Sequence, residues 1–91
     1  MADNLRRAMR FALDGVGMQQ YGCTVVLECQ CRDRARLLHR LFCQSVRSGT
    51  LDEPLPYKCV FSFPGGRIEA LGWRMGSERG VKVENQIFGG S

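Results

Sequence analysis

Four residues near the middle of the chain have side chains that can bind a metal ion, namely Cys29, Cys31, His39 and Cys43. Zinc takes four thiolate or imidazole ligands in a tetrahedron, and residues four positions apart, such as His39 and Cys43, share one face of a helix. However, the Cys-x-Cys spacing is unusual, and Cys29 also fits the apolar side of a strand. We therefore expect no metal and no other cofactor, and keep these four residues as the candidate ligands.

The same His39 and Cys43 would also suit a thiolate nucleophile with an imidazolium partner. Such a site needs a third, orienting group and a donor for the oxyanion, and the sequence marks neither of them. We therefore expect a protein that is not an enzyme. A zinc-binding or thiol-dependent protein centred on His39 and Cys43 is kept as an alternative.

Arginine dominates the charge of the chain. The 91 residues carry 13 Lys and Arg against 9 Asp and Glu, a net charge of +4, and eleven of the basic residues are Arg. Residues 1–50 hold eight Arg and four acidic residues, while residues 51–91 hold five of each sign. The imbalance in the first half favours an acidic partner.

Seven of these arginines recur at helical spacing in two groups, which are Arg6, Arg7 and Arg10, and then Arg32, Arg36, Arg40 and Arg47. A guanidinium group binds carboxylate or phosphate as a planar fork. We therefore expect a small binding protein whose arginine-rich helix faces engage an acidic macromolecule, either nucleic acid or an acidic protein surface. The simpler explanation is that both faces are solvated and keep the protein soluble.

A second interpretation uses Trp73 and its apolar neighbours. A buried aromatic residue ringed by arginines is typical of a protein-binding hot spot. In that case the chain would be a small modulator or inhibitor of a nucleic-acid-handling complex, for example a phage-type anti-defence protein.

Two helices are predicted before the last third of the chain. The first is capped by Asp3 or Asn4 and runs to about Asp14, where Gly15 ends it. Its apolar face contains Leu5, Ala8, Met9, Ala12, Leu13 and Val16, and Phe11 lies off this stripe. The second helix is predicted over about 33–46, with Ser48 and Gly49 as the stop.

Four strands are predicted around these helices. One runs from about Tyr21 to Cys29 with Cys23, Val25, Leu27 and Cys29 on its apolar side. Residues 57–75 predict a hairpin that turns at Pro64 and Gly65, with Gly66 as a bulge. Its pairs are Phe63 with Gly66, Phe61 with Ile68, Cys59 with Ala70 and Tyr57 with Gly72. The last strand, after a turn at 76–80, alternates Val81, Val83 and Ile87 with polar residues.

This element order, α-β-α-β-β-β, predicts the α+β class, with two helices packed on one face of a mainly antiparallel four-stranded sheet. Whether the first strand runs parallel to the hairpin stays open. The other face of the sheet would expose apolar side chains among charges, namely Val26, Val60, Leu71, Trp73 and Phe88. We expect either a homodimer or another partner at this outer sheet face, or a helix that covers it.

We expect residues 1–88 to form a single compact domain and residues 89–91 to form a flexible tail. Five cysteines are an odd number, which favours a reduced, cytoplasmic protein. No run approaches the roughly 18 apolar residues that a membrane-spanning helix needs, so no membrane partner is expected.

Overall fold

The computed structural model describes residues 2–52 and 55–89, which form two helices and five strands. In chain order the elements are α1 (Ala2–Met9), β1 (Gly17–Tyr21), β2 (Thr24–Glu28), α2 (Arg32–Ser48), β3 (Tyr57–Phe63), β4 (Gly66–Met75) and β5 (Glu78–Phe88). The α+β class with two helices is confirmed. The sheet has one strand more than the four predicted.

The additional strand is β1, which pairs antiparallel with β2 through a turn at Gly22 and Cys23. Gly22 has φ of 61°, a left-handed conformation that glycine adopts without strain. Only Met18 and Gln20 of β1 point to the helix side, opposite Leu27 and Val25, so this edge strand has no apolar alternation to reveal it. The strand predicted from Tyr21 is thus the second arm of a hairpin, and Cys23 is exposed in its turn.

The five strands lie across the sheet in chain order, β1-β2-β3-β4-β5. Neighbouring strands are antiparallel, except that β2 and β3 are parallel. Parallel neighbours require a crossover connection, and α2 with the segment after it provides that crossover. The sheet is therefore mixed, and the first predicted strand runs parallel to β3, the first strand of the hairpin.

The hairpin of β3 and β4 has the predicted register, with Phe61 opposite Ile68 and Tyr57 opposite Gly72. Gly65 in its turn has φ of 96°. The bulge expected at Gly66 is wrong, because Gly66 pairs regularly with Phe63. A side chain at Gly66 would collide with the main-chain oxygen of Ile87 in β5, so glycine is needed there for the close approach of the two strands.

The bulge lies instead in β5. Glu69 is opposite Asn85 and Ala70 is opposite Val83, which leaves Glu84 without a partner in β4. One unpaired residue reverses the alternation of side chains beyond it. Phe88, opposite Gly66, therefore lies on the helix side of the sheet, and its predicted place on the outer sheet face is wrong.

Helix α2 matches its prediction, and Gly49 ends it with φ of 83° and an N–H donated to the carbonyl of Val46 at 3.2 Å. Helix α1 differs, because it begins at Ala2, before the predicted cap at Asp3 or Asn4, and ends at Met9 instead of Asp14. The chain then turns, and the Arg34 side chain donates a hydrogen bond to the main-chain oxygen of Ala12 at 3.3 Å.

Both helices pack on one side of the sheet and share one hydrophobic core with it. Fully buried side chains of this core include Leu5, Val25, Leu27, Leu38, Phe42, Val46, Leu51, Tyr57, Cys59 and Phe61. The rings of Phe42 and Phe61 meet edge to face at 5.8 Å, which joins α2 to β3. The inward direction predicted for Cys59, Phe61 and Ile68 is confirmed.

The connection between α2 and β3 and the predicted tail fall partly outside the described residues. The connection contains Glu53 and Pro54, and the tail contains Gly90 and Ser91, none of which the structure describes. Gly89 is described, and its N–H donates a hydrogen bond to the carbonyl of Gly65.

Candidate functional site

The arginines of α2 occupy one flank of the helix. Its buried residues Ala35, Leu38, Phe42 and Val46 recur at helical spacing and fix which side faces the sheet. We call Arg32, Arg36, Arg40 and Arg47, all exposed, the α2 arginine group. At 3.6 residues per turn these four side chains fall within an arc of roughly 80° and extend over about 22 Å of helix.

The guanidinium groups of this set have no carboxylate partner within residues 2–52 and 55–89. The ion pairs of that part of the chain lie elsewhere. Lys58 and Arg67 bind Glu69 at 3.1 and 2.9 Å, and Arg74 binds Asp52 at 2.8 Å. The weaker pairs at 3.9 and 3.5 Å are Lys58 with Glu84 and Arg79 with Asp52. The α2 arginine group thus has its charge available to a partner.

An aromatic ring supports two members of the group. Arg32 and Arg36 each place the guanidinium carbon 5.6 Å from the centre of the Phe88 ring. This distance suits a cation–π contact. Phe88 itself packs against Phe63, with the ring centres 5.9 Å apart. The end of β5 therefore restrains two arginines that helical spacing alone would leave free to move.

The arginines near α1 lie in a different place from the α2 arginine group. Arg6 and Arg10 line a hollow together with Met18 of β1. Arg32 and Arg36 stack on β5, and β1 and β5 are the two opposite edges of the sheet. Four strand spacings of about 4.8 Å separate these edges by roughly 19 Å. The two predicted arginine groups therefore do not form one continuous surface.

Arg7 is exposed on α1, whereas Arg10 lies in the turn after the helix ends. The guanidinium carbon of Arg10 is 4.6 Å from the centre of the Phe11 ring. Phe11 is 85% exposed, the largest exposed fraction among the large apolar side chains of the described residues. It borders a cleft of about 290 Å³ between the α1 segment and α2, where Leu37 and Leu41 form the opposite wall.

Trp73 lies on the side of the sheet opposite the helices, as predicted. Val26, Val60 and Leu71 are half-buried on the same side. Trp73 is 37% exposed, and its ring lies over Gly80, where an added Cβ would be 2.9 Å from the indole. No helix of the described residues covers this outer sheet face.

Four charged residues of the outer sheet face form ion pairs with one another, namely Lys58, Arg67, Glu69 and Glu84. Glu69 accepts hydrogen bonds from Arg67, and its other oxygen contacts Lys58. These hydrogen bonds lower the pKa of the Glu69 carboxyl. Lys82, on the same face, has no carboxylate partner in the described part of the chain, so this face has one unpaired cation where the α2 arginine group has four.

Of the four candidate metal ligands, the structure brings two together. The Cys43 sulfur and the His39 Nε2 are 3.6 Å apart on adjacent turns of α2. Cys29 is buried and its sulfur contacts the Leu27 carbonyl at 3.7 Å, while Cys31 is exposed at the N-cap of α2. No cluster of three His, Cys, Asp or Glu residues suited to a metal ion occurs in the described ranges.

The pKa shifts of His39 and Cys43 favour the neutral form of both side chains. Burial, and then the positive charge of Arg47, lowers the pKa of His39. Burial raises the pKa of the Cys43 thiol, and it raises the pKa of Cys29 to about 11. Both shifts oppose the formation of a thiolate–imidazolium pair at neutral pH.

Phe88 and Phe11, which contact arginines, are not among the site residues predicted from the sequence. The position of Phe88 depends on the bulge at Glu84, and the strand pattern gives no sign of that bulge. Phe11 did carry a signal, because it lies off the apolar stripe of its segment and so has no place in the core.

The chain matches no protein-family model, no curated protein and no solved structure. Neither helix of the described residues has the length and apolar composition that crossing a bilayer requires.

Proposed function

We propose that the protein is a non-enzymatic binding protein that holds the phosphate backbone of a nucleic acid with the α2 arginine group. The observation that carries this proposal is the row of four exposed guanidinium groups without carboxylate partners in the described part of the chain. Charge-assisted, forked hydrogen bonds to phosphate are the strongest contacts that such groups make with a solvated partner.

Two further features support phosphate as the partner. The group extends over about 22 Å, which suits a polymer with a charge at every repeat better than a single small anion. Stacking on Phe88 also restrains Arg32 and Arg36 before binding, so less side-chain freedom is lost when the partner arrives.

The first prediction concerns the salt dependence of binding. Contact of all four arginines with phosphates predicts a slope of log affinity against log salt of about −3.6 for duplex DNA and −2.8 for a single strand. The double variant Arg36→Gln/Arg40→Gln should weaken binding and make the slope less steep by about 1.4–1.8. Fluorescence anisotropy of labelled oligonucleotides over a range of salt concentrations measures both quantities.

The matched control is Arg74→Gln/Lys82→Gln, which removes the same charge from β4 and β5. It should leave the slope and the affinity close to those of the wild-type protein. Equal losses in the two double variants would show that net charge, and not the α2 arginine group, drives binding. Binding of labelled polyglutamate without binding of oligonucleotides would identify an acidic protein surface as the partner instead.

A second candidate function rests on the outer sheet face. Trp73 with half-buried Val26, Val60 and Leu71 forms an apolar centre that no described helix covers. Such a face is typical of a protein-binding surface, in a homodimer or in a modulator of a nucleic-acid-handling complex. Binding through this face should respond weakly to salt, which distinguishes it from binding through α2.

A further inference from the structure

Two phenylalanines of the described residues combine an exposed ring with an arginine stacked on it. Phe11 is contacted by Arg10 at 4.6 Å, and Phe88 is contacted by Arg32 and Arg36 at 5.6 Å. Their exposed fractions are 85% and 37%. Both rings therefore present apolar surface to solvent directly beside positive charge.

We propose that the nucleic acid is single-stranded and that Phe11 and Phe88 are the rings on which its unpaired bases stack. This inference rests on the proposed function, because it specifies the nucleic acid that the α2 arginine group binds. Proteins that bind single strands without sequence preference combine a positively charged track for the backbone with aromatic side chains for the bases.

Phe11 is the stronger of the two candidates for base stacking, because its exposed ring contributes little to the core. A chain of this kind buries its large apolar side chains in one core, and Leu5 and Met9 of the same segment are fully or almost fully buried. Phe11 instead stands at the mouth of the cleft formed with Leu37 and Leu41. A flat aromatic base can enter this cleft against the ring, while Arg10 lies close enough to bind the adjacent phosphate.

The two rings lie on opposite flanks of α2. Phe11 borders the cleft on the side of Arg34 and Leu37, and Phe88 lies under Arg32 and Arg36 on the side of β5. A helix with its side chains is about 10–12 Å across, so a strand that crosses the N-terminal half of α2 can reach both rings. Arg36 and Arg40 lie along this path.

A duplex does not fit this arrangement. In a duplex the faces of the bases are covered by their neighbours, and only base edges and phosphates are accessible from the grooves. Rings that project from the surface gain stacking contacts only where bases are unpaired. The aromatic pair therefore separates single strands from duplexes, which arginines alone do not do.

The test compares three labelled probes of equal length, which are oligothymidylate, an abasic strand and a duplex, each bound by the full chain. Oligothymidylate should bind at least about fivefold more tightly than the abasic strand, since both carry the same phosphates and only the first can stack. Phe11→Ala should lower the affinity for oligothymidylate by about fivefold or more and leave the abasic strand unaffected. Phe88→Leu, which retains an apolar contact with Phe63, should act in the same direction.

Met75→Ala is the matched control, because Met75 is 77% exposed and lies on β4 away from α2. It should change neither affinity. If Phe88→Leu lowers the melting temperature strongly, Phe11→Ala decides alone, because the exposed ring contributes little to folding.

The outcomes separate the inference from the function on which it rests. Equal affinity for oligothymidylate and the abasic strand, or an unchanged affinity in Phe11→Ala, overturns the stacking inference while binding to phosphate stands. Absence of binding to all three probes by the wild-type chain overturns both.

Discussion

His39 shows how a single side chain in this fold is tuned by its surroundings. Its ring meets Phe61 edge to face at 5.6 Å, and its Nε2 lies near the Cys43 sulfur. Burial and the charge of Arg47 lower its pKa. Since the neutral imidazole is the form that the folded protein accommodates, His39 links stability to pH.

The second prediction follows from this shift. In the unfolded chain His39 gains a proton near pH 6.5, whereas the folded protein accepts it only at a lower pH. The unfolded state therefore binds more protons in this window, and the free energy of unfolding should fall as the pH is lowered from about 7.5 to 5.5. Urea denaturation at several pH values measures this fall.

His39→Gln provides the comparison, since glutamine does not titrate. The variant should lose most of the pH dependence in this window, although its stability at neutral pH can differ. Glu69 also has a lowered pKa, but its stabilising effect is lost only at pH values below about 4.5. An identical fall in the wild-type protein and in the variant would contradict the role of His39.

Side chains were predictable from the sequence wherever helical spacing decided their direction. Helical spacing alone predicts that the four arginines of α2 share one exposed side. The alternation of side chains along β4 predicts that Trp73 points away from the helices. The direction of Phe88 is not predicted in this way, because its side of the sheet depends on an unpaired residue earlier in the strand. A pattern of period two predicts direction only as long as the ladder is regular.

Among the elements, the hairpin of β3 and β4 was the most predictable. Seven alternating residues, a Pro-Gly turn and small residues opposite large ones all favour one register, and the structure has that register. β1 was missed because an edge strand with Gln19 and Gln20 at its centre lacks a buried face. The end of α1 was not predictable from local spacing. The turn that follows the helix is held by a hydrogen bond from Arg34, which is far along the chain, to the main-chain oxygen of Ala12.

The third prediction concerns the contact between the hairpin and β5. Gly66→Ala would place a Cβ against the main-chain oxygen of Ile87 and 2.9 Å from the Phe88 Cα. Backbone atoms cannot move aside as a flexible side chain does, so the variant should lose about 1–3 kcal/mol of stability. Denaturant unfolding measures the loss.

Ser77→Ala in the exposed turn between β4 and β5 is a suitable reference, with an expected effect within about 0.5 kcal/mol. Because Phe88 pairs with Gly66, the Gly66→Ala variant should also disturb the stacking of Arg32 and Arg36. Unaltered stability of Gly66→Ala would mean that the ends of β4 and β5 lie further apart than described.

In the molecule as a whole, the two sides of the sheet differ in charge. The helix layer, residues 2–16 and 32–48, carries eight arginines and three aspartates. The outer sheet face carries three basic and four acidic side chains, which are Lys58, Arg67 and Lys82, and Glu28, Glu69, Glu78 and Glu84. A long-range field of this form would orient the helix layer toward an acidic molecule before contact.

The last prediction concerns the outer sheet face. If two copies associate through it, the sedimentation coefficient should rise with protein concentration, and Trp73→Ala should abolish the rise while Phe11→Ala does not. The emission of Trp73, the sole tryptophan, should shift to shorter wavelength as the ring becomes buried. A constant sedimentation coefficient in the wild-type protein would contradict association of two copies through this face. The remaining candidate would then be a different protein that binds the same face.

Because Glu84 has no partner in β4, the effect of deleting one residue from β5 depends on which residue is deleted. Loss of Glu84 would restore a regular ladder and keep Phe88 opposite Gly66. If Glu84 stays unpaired, loss of Gln86 would shift the residues beyond it by one position and carry the Phe88 ring to the other side of the sheet. Deletions two codons apart would thus have opposite consequences, and the second would separate Arg32 and Arg36 from their aromatic support without altering either arginine.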